Sequence, residues 1–323
     1  MQKMMFTVIA SLMLAACGGQ AKESAQAESS GPHGPAAPKV KVEFSADSAY
    51  SYVERQVAFG PRVPNTDAHR KAGDWLVSEL RRHGAAVKEQ KMTLTAFDGT
   101  KLQARNVFGS FNPQAGERLL LVAHWDCRPW ADADPDPEKR TLPVDGANDG
   151  ASGVGVLLET ARLLGSNSPA MGVDILFVDA EDWGTDGDED SWALGARHFV
   201  ENPVVEGYLP SSVIVLDMVG GTDARFPREY FSQQSAPALL GRFYAAAAAS
   251  GYADMFPDEM GGAVTDDHLQ FIKAGIPAID IIDYRDGFHP AWHTSGDTMD
   301  CIDRKTLKAV GQTLINFLFP PEN

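Results

Sequence analysis

Leu119-Leu120-Leu121-Val122-Ala123, followed at once by His124-Trp125-Asp126, decides the fold. An unbroken apolar run suits a strand covered on both faces, because a half-exposed strand would place a polar residue at every second position. The same signature recurs at Ile175-Leu176-Phe177-Val178, at Val213-Ile214-Val215-Leu216 and at Ala278-Ile279-Asp280-Ile281-Ile282. Helical stretches lie between these runs, at Gly153 to Leu164, Trp192 to Val200 and Leu239 to Ala248. Alternation of this kind predicts an α/β three-layer sandwich, a mostly parallel, mixed central β-sheet with helices on both faces. Upstream, Ser45 to Val57 and Ala68 to Arg82 have helical spacing, the latter opened by Asn65-Thr66-Asp67. Val87 to Phe97 and Leu102 to Phe111 read as two strands around Asp98-Gly99. A last helix runs from Arg304 to about Phe319 and stops before Pro320-Pro321.

The first residues belong to export rather than to the fold. Lys3 precedes an apolar segment, Met4 to Leu14, too short to span a bilayer. It ends in Leu14-Ala15-Ala16-Cys17, spacing that resembles a bacterial lipobox. Residues 1–17 are therefore expected to be a lipoprotein signal peptide, with Cys17 lipidated and the protein held on the periplasmic side of a membrane, the outer one in our reading. Residues 18–42, rich in Ala, Ser, Glu, Gly and Pro, read as a flexible tether. Residues 43–323 then form a single catalytic domain, large enough for a full core. Cys127 and Cys301 remain, and their sequence positions do not decide between a bridge and two free thiols.

The formal net charge of −16 argues against nucleic acid and anionic lipid surfaces as partners, so membrane contact is expected only through the anchor. We expect a monomer. Ala151-Ser152-Gly153-Val154-Gly155 lacks the first glycine of a nucleophile elbow, and Gly150-Ala151-Ser152-Gly153 lacks the Lys of a phosphate loop.

In open α/β sheets ligands bind where the strands end. Each apolar run here is followed by groups that bind metals or move protons: His124 and Asp126, then Asp149 at a helix start, then Asp179-Ala180-Glu181-Asp182, then Asp217, then Trp292-His293. Singly they have plain readings: Asp149 as a helix cap, Glu181-Asp182 as a solvated turn, His124 with Asp126 as an ion pair, His293 as a structural imidazole. Together at one rim they point to a metal. Carboxylate oxygens plus imidazole fit zinc, three protein ligands leaving a position for substrate.

At these residues the sequence resembles the zinc aminopeptidase superfamily, and more closely its glutaminyl-peptide cyclotransferase branch. The resemblance spans roughly Ser45 to Phe319. It is carried by Ala123-His124-Trp125-Asp126, Gly146-Ala147-Asn148-Asp149-Gly150-Ala151, Phe177 to Gly184, Leu216-Asp217-Met218-Val219-Gly220, Thr265-Asp266-Asp267-His268 and Trp292-His293-Thr294. The resemblance implies a zinc aminopeptidase-like fold and one zinc per chain, bound by Asp149, Asp182 and His293. It implies Glu181 as general acid/base, with Asp266 and Asp217 completing a carboxylate network. Asp217, Trp292 and Trp192 would face the substrate, Trp183 being the other candidate for the second tryptophan. His124 and Asp126 would support the centre or hold a second metal. Animal cyclases have Glu where this chain has Asp182. The implied reaction converts the N-terminal Gln of peptides or proteins to pyroglutamate and releases ammonia. Trp125, Trp130, Trp183, Trp192 and Trp292 lie near the motifs and are candidate walls against water. The rival is a two-zinc aminopeptidase using His124, Asp149, Asp182, Asp217 and His293, with Glu181 as base. No role follows from sequence for the acidic loops Asp132 to Arg140 and Asp186 to Asp190.

Overall fold

The computed structural model describes residues 41–285 and 287–320 of the 323. The expected signal peptide, Cys17 and nearly all of the tether lie outside the described residues. Among the described residues no helix is long and apolar enough to cross a membrane.

The centre of the sheet is the run that opened the sequence reading. Strand β3 (Arg118–His124) lies between β4 (Gly172–Val178) and β5 (Ser212–Asp217), parallel to both, with β6 (Ala278–Ile282) parallel beyond β5. An antiparallel pair, β1 (Ala86–Thr95) and β2 (Lys101–Phe111), completes the other side, giving the six-strand order β1-β2-β4-β3-β5-β6. Successive side chains of β3 point to opposite faces, so one run feeds two cores. Leu119, Leu121 and Ala123 join the larger core with helices α1 (Ala46–Val57), α2 (Asp67–Arg82), α3 (Ala151–Leu164), α6 (Pro237–Ala249) and α8 (Arg304–Leu318). Leu120 and Val122 join Phe199 of α4 (Leu194–Glu201) and Phe271 of α7 (His268–Lys273) on the other face. Full burial of one such Leu or Val contributes about 1.5–3 kcal/mol, which is why this run cannot slip by one residue. The three-layer expectation holds.

Local signals explain the helix starts. Ser45 and Thr66 accept the backbone N–H of Ser48 and His69 at 3.2 Å each, and Asp303 accepts that of Lys305 at 2.9 Å. Two differences from expectation matter. Helix α4 begins at Leu194 rather than Trp192, because Ala193 takes a left-handed conformation (φ 54°) that turns Trp192 out of the helix. The short helices α5 (Tyr230–Ser235) and α7 were not anticipated; six residues are too few to show a period. Cys127 and Cys301 are both free thiols.

Candidate metal centre and its cleft

Because β3, β4, β5 and β6 run the same way, their carboxyl ends meet at one rim. His124 ends β3, Asp217 ends β5, and the turn after β4 carries Glu181 and Asp182. Helix α3 brings Asp149 just before its first turn, and the loop after β6 returns His293. Asp149 is not the helix cap: that position is Gly150, at φ 91° and without a side-chain cap. A Cβ there would lie 2.8 Å from the Asp126 carbonyl oxygen, so the bend that frees the Asp149 carboxylate for the cleft requires glycine.

Asp149, Asp182 and His293 each offer a ligand atom, all within 4.8 Å of one another, and all three residues are buried. His293 Nε2 stands 3.2 Å from Asp182 Oδ1 and 3.6 Å from Asp149 Oδ2. Two ligands about 2.1 Å from a tetrahedral zinc are separated by about 3.4 Å, so the donor set fits that ion. The shorter Asp182 side chain reaches the site. His293 Nδ1 faces Asp132 Oδ1 at 3.4 Å, a carboxylate behind an imidazole as metal sites commonly have.

Asp149 divides its oxygens. Its Oδ1 is 3.0 Å from His124 Nε2, which is also 3.1 Å from Asp217 Oδ1. His124, Asp149 and Asp217 thus form a second group of the same kind. Asp126 does not join either group. Its oxygens accept the backbone N–H groups of Glu181 at 3.2 Å and Asp182 at 3.3 Å, so it aims the turn rather than ligating. Asp179 grips the same turn from the other side, accepting Ala180 N–H at 2.8 Å and Arg105 N–H at 2.6 Å, and is itself held by His69. Ala180 (φ 54°), Met218 (φ 47°) and His293 (φ 51°) are left-handed without being glycine. Each costs of order 1–3 kcal/mol, and each adjoins or is a site residue.

Glu181 lies beside the centre, with Oε2 3.9 Å from His124 Nδ1. Burial, then the charges of Asp182, Asp266 and Asp267, push its carboxyl well above the usual range, against the opposing pull of His124. Burial also raises Asp266 to about 6. For His293 burial works downward but is outweighed by Asp182, Asp132 and Asp149, leaving it at about 9.

A cavity of about 240 Å³ opens over these groups. Glu181, Asp217 and Asp266 line it, with Trp192, Trp292, Phe288 and Tyr284 as aromatic walls. Trp292 stacks on His293 with ring centroids 3.6 Å apart, and Trp192 stacks at 6.1 Å. Trp183 instead pairs with Trp130 at 5.7 Å away from this lining, so the structure distinguishes the two candidate tryptophans. Trp125 is corrected: it is fully buried in the core, stacked on His69 at 4.3 Å, and walls nothing.

Five contributors escaped the sequence reading. Asp297 accepts the N–H groups of Asn148 at 2.7 Å and Asp149 at 3.1 Å, fixing the loop before α3. Asp132 backs His293, and Arg128 ties Asp132 to the Asp182 carbonyl oxygen. Asp132 stood in an acidic loop, and nothing local marks it out from its neighbours. Tyr284 and Phe288 carried no motif either.

Comparison with known proteins agrees with the motifs. The family model described as peptidase family M28 matches residues 106–318. Bacteroides thetaiotaomicron glutaminyl cyclase, solved with N-acetylhistamine, is 48% identical; the match covers 88% of this chain and 100% of that one, with a TM-score of 0.85. A Zn-dependent exopeptidase from Parabacteroides distasonis is 51% identical over 87% of this chain and 100% of its own, also at 0.85. The glutaminyl-peptide cyclotransferase of Drosophila melanogaster is 27% identical over 273 residues, covering 76% of this chain and 73% of the relative. With the family model matching well over half its length and the donor set in place, this chain is a member of peptidase family M28, a zinc-dependent enzyme.

Proposed function

We propose that the protein is a glutaminyl-peptide cyclotransferase that closes N-terminal Gln of peptides or proteins to pyroglutamate and releases ammonia. The observation that carries this reading is the aromatic lining around Glu181, formed by Trp192, Trp292, Phe288 and Tyr284. Ring closure is intramolecular and needs no water, whereas hydrolysis must admit one. The similarity to bacterial glutaminyl cyclases at about half identity supports it.

Asp149, Asp182 and His293 would hold one zinc per chain. When bound, it would supply Lewis acidity toward the Gln side-chain carbonyl and stabilise charge developing on its oxygen. The remaining work belongs to the chain. The aromatic walls hold the substrate side chain folded over its own α-amine, so that positioning replaces a bimolecular encounter. Glu181, its carboxyl held well above the usual range by burial, takes the proton from the attacking amine and passes it to the departing nitrogen. Asp266 and Asp217 line the same cavity, and burial, with the Asp266 charge, helps hold the Glu181 carboxyl in reach of its proton-bearing form. Asp126 and Asp179 hold the turn that presents it.

The two-zinc aminopeptidase has its own support in the His124, Asp149 and Asp217 group. Incubation with a Gln-headed peptide separates the readings. Ammonia appearing without free amino acid is expected, and release of free glutamine would overturn the cyclase. We further propose that Cys17 anchors the enzyme by lipid on the periplasmic side of a bacterial membrane, facing its substrates as a monomer.

A further inference from the structure

Trp192 lines the cleft from outside any helix, so something other than regular structure must hold its indole there. Three holds are visible. Ala193, the next residue, donates its backbone N–H to the Glu181 carbonyl oxygen at 3.1 Å, tying this segment to the turn that carries the base. Thr185 donates its N–H to Ser191 Oγ at 2.9 Å, which closes the loop between them and brings Gly184 against the ring. A Cβ built on Gly184 would collide with Cδ2, Cε2 and Cε3 of Trp192. The φ of Gly184 is negative, so its backbone suits any residue, and it is the indole that requires glycine.

The third hold is Arg128, a buried residue. Its guanidinium carbon lies 4.8 Å from the Trp192 ring centre and 5.1 Å from that of Trp130, within the range at which a cation is drawn to a ring face. The donors of the same group are all committed. Nε and Nη2 donate to the two oxygens of Asp132, at 3.0 and 2.5 Å. Nη1 donates to the carbonyl oxygens of Asp182 and Gly184, at 3.0 and 3.1 Å, and stands 3.5 Å from Asp182 Oδ1. One planar group therefore meets the ligand Asp182, the carboxylate behind the ligand His293, the glycine under the indole and the indole itself. A lysine ammonium, with three donors on one atom, cannot span these partners.

We propose that Arg128 and Gly184 are positioning residues that build a slot for Trp192 and lock this cleft wall to the zinc ligand Asp182. The substrate side chain and the metal are thereby held in one register. The inference deepens the cyclase reading and rests on it for the task of Trp192. Neither residue reaches the reacting atoms. Gly184 acts by leaving room for the indole, and Arg128 acts through Trp192, Asp182 and Asp132 together.

A double-mutant cycle on the zinc-loaded enzyme tests this, with a Gln-headed peptide as substrate and chelator competition as the measure of zinc affinity. Gly184→Ala should raise KM by about 2–30-fold, the worth of the ring contacts it disrupts, with zinc affinity unchanged. In a Trp192→Ala background the same substitution should change KM by less than about twofold, because no ring remains to be displaced. Equal effects in the two backgrounds overturn the slot. Should Gly184→Ala alone fail to fold, the double variant, which has room for the methyl group, must fold; failure of both overturns it as well. Arg128→Lys keeps the charge but loses the fork, and should raise KM by a similar factor while weakening zinc affinity by about 10–100-fold. Wild-type KM and zinc affinity in Arg128→Lys would show that any cation suffices there and overturn the role of Arg128. Zinc affinity does not depend on which product forms. A chain that released free glutamine would therefore sink the cyclase reading, while the chelator measurement would still judge Arg128.

Discussion

The two halves of the sheet have different fates. The antiparallel pair β1–β2 is rich in charged residues, and β1 is exposed or half-buried along its whole length. Its turn, Asp98-Gly99, stays at the surface. The parallel half carries fewer charges, yet its strand ends deliver His124, Glu181, Asp182 and Asp217, all buried. Parallel strands pool their carboxyl ends at one rim; an antiparallel hairpin sends one end each way. Chemistry collects where direction is shared, not where charge is plentiful.

The sharpest way to break this contrast is at Glu181. Glu181→Gln is expected to lower kcat by about 10²–10⁴-fold with little change in KM. Lys91→Ala on β1, exposed and charged, should leave kcat, KM and zinc content unchanged. Equal losses from both variants, read by steady-state kinetics, would end the distinction between the halves.

A smaller effect is expected behind the metal ligands. Asp132→Asn removes the carboxylate facing His293 Nδ1 and should weaken zinc affinity by about 10–100-fold, measured by competition with a chelator. Asp126→Ala orphans the buried N–H groups of Glu181 and Asp182. It should cost about 1–3 kcal/mol per group in denaturant unfolding. Lys91→Ala should stay within about 0.5 kcal/mol.

The rim also predicts a pH dependence that the hairpin lacks. Burial lifts Asp266 to about 6 and, with the charge of Asp149, Asp297 to about 7. A carboxyl raised in the folded state favours folding while protonated, and that contribution is lost as pH climbs through its folded value. Metal-free protein should therefore lose thermal stability from pH 5 to pH 8, and added zinc should restore most of it at the upper end. A melting temperature that rises over this range without metal would contradict the account.

The parallel half was also the legible half. An unbroken apolar run has one interpretation, and the residue after it inherits a position at the rim, so Asp149, Glu181, Asp182, Asp217 and His293 could be named from spacing and motif. What escaped depends on three-dimensional return of the chain. Asp297 and Asp132 act on atoms of Asp149 and His293 from loops whose course no local pattern encodes. Trp125 sits inside a motif yet packs in the core, because a residue's side of the strand end is set by pleat and not by proximity in sequence. Trp192 reaches the cleft only because Ala193 adopts a left-handed turn that alanine seldom takes.

Crystals of the zinc-loaded protein, with an anomalous difference map recorded at the zinc absorption edge, test the central claim most directly. The account predicts a peak within coordination distance of Asp149, Asp182 and His293, beside Glu181, and none between His124 and Asp217. A peak shared by His124, Asp149 and Asp217, or no peak touching His293, would contradict it.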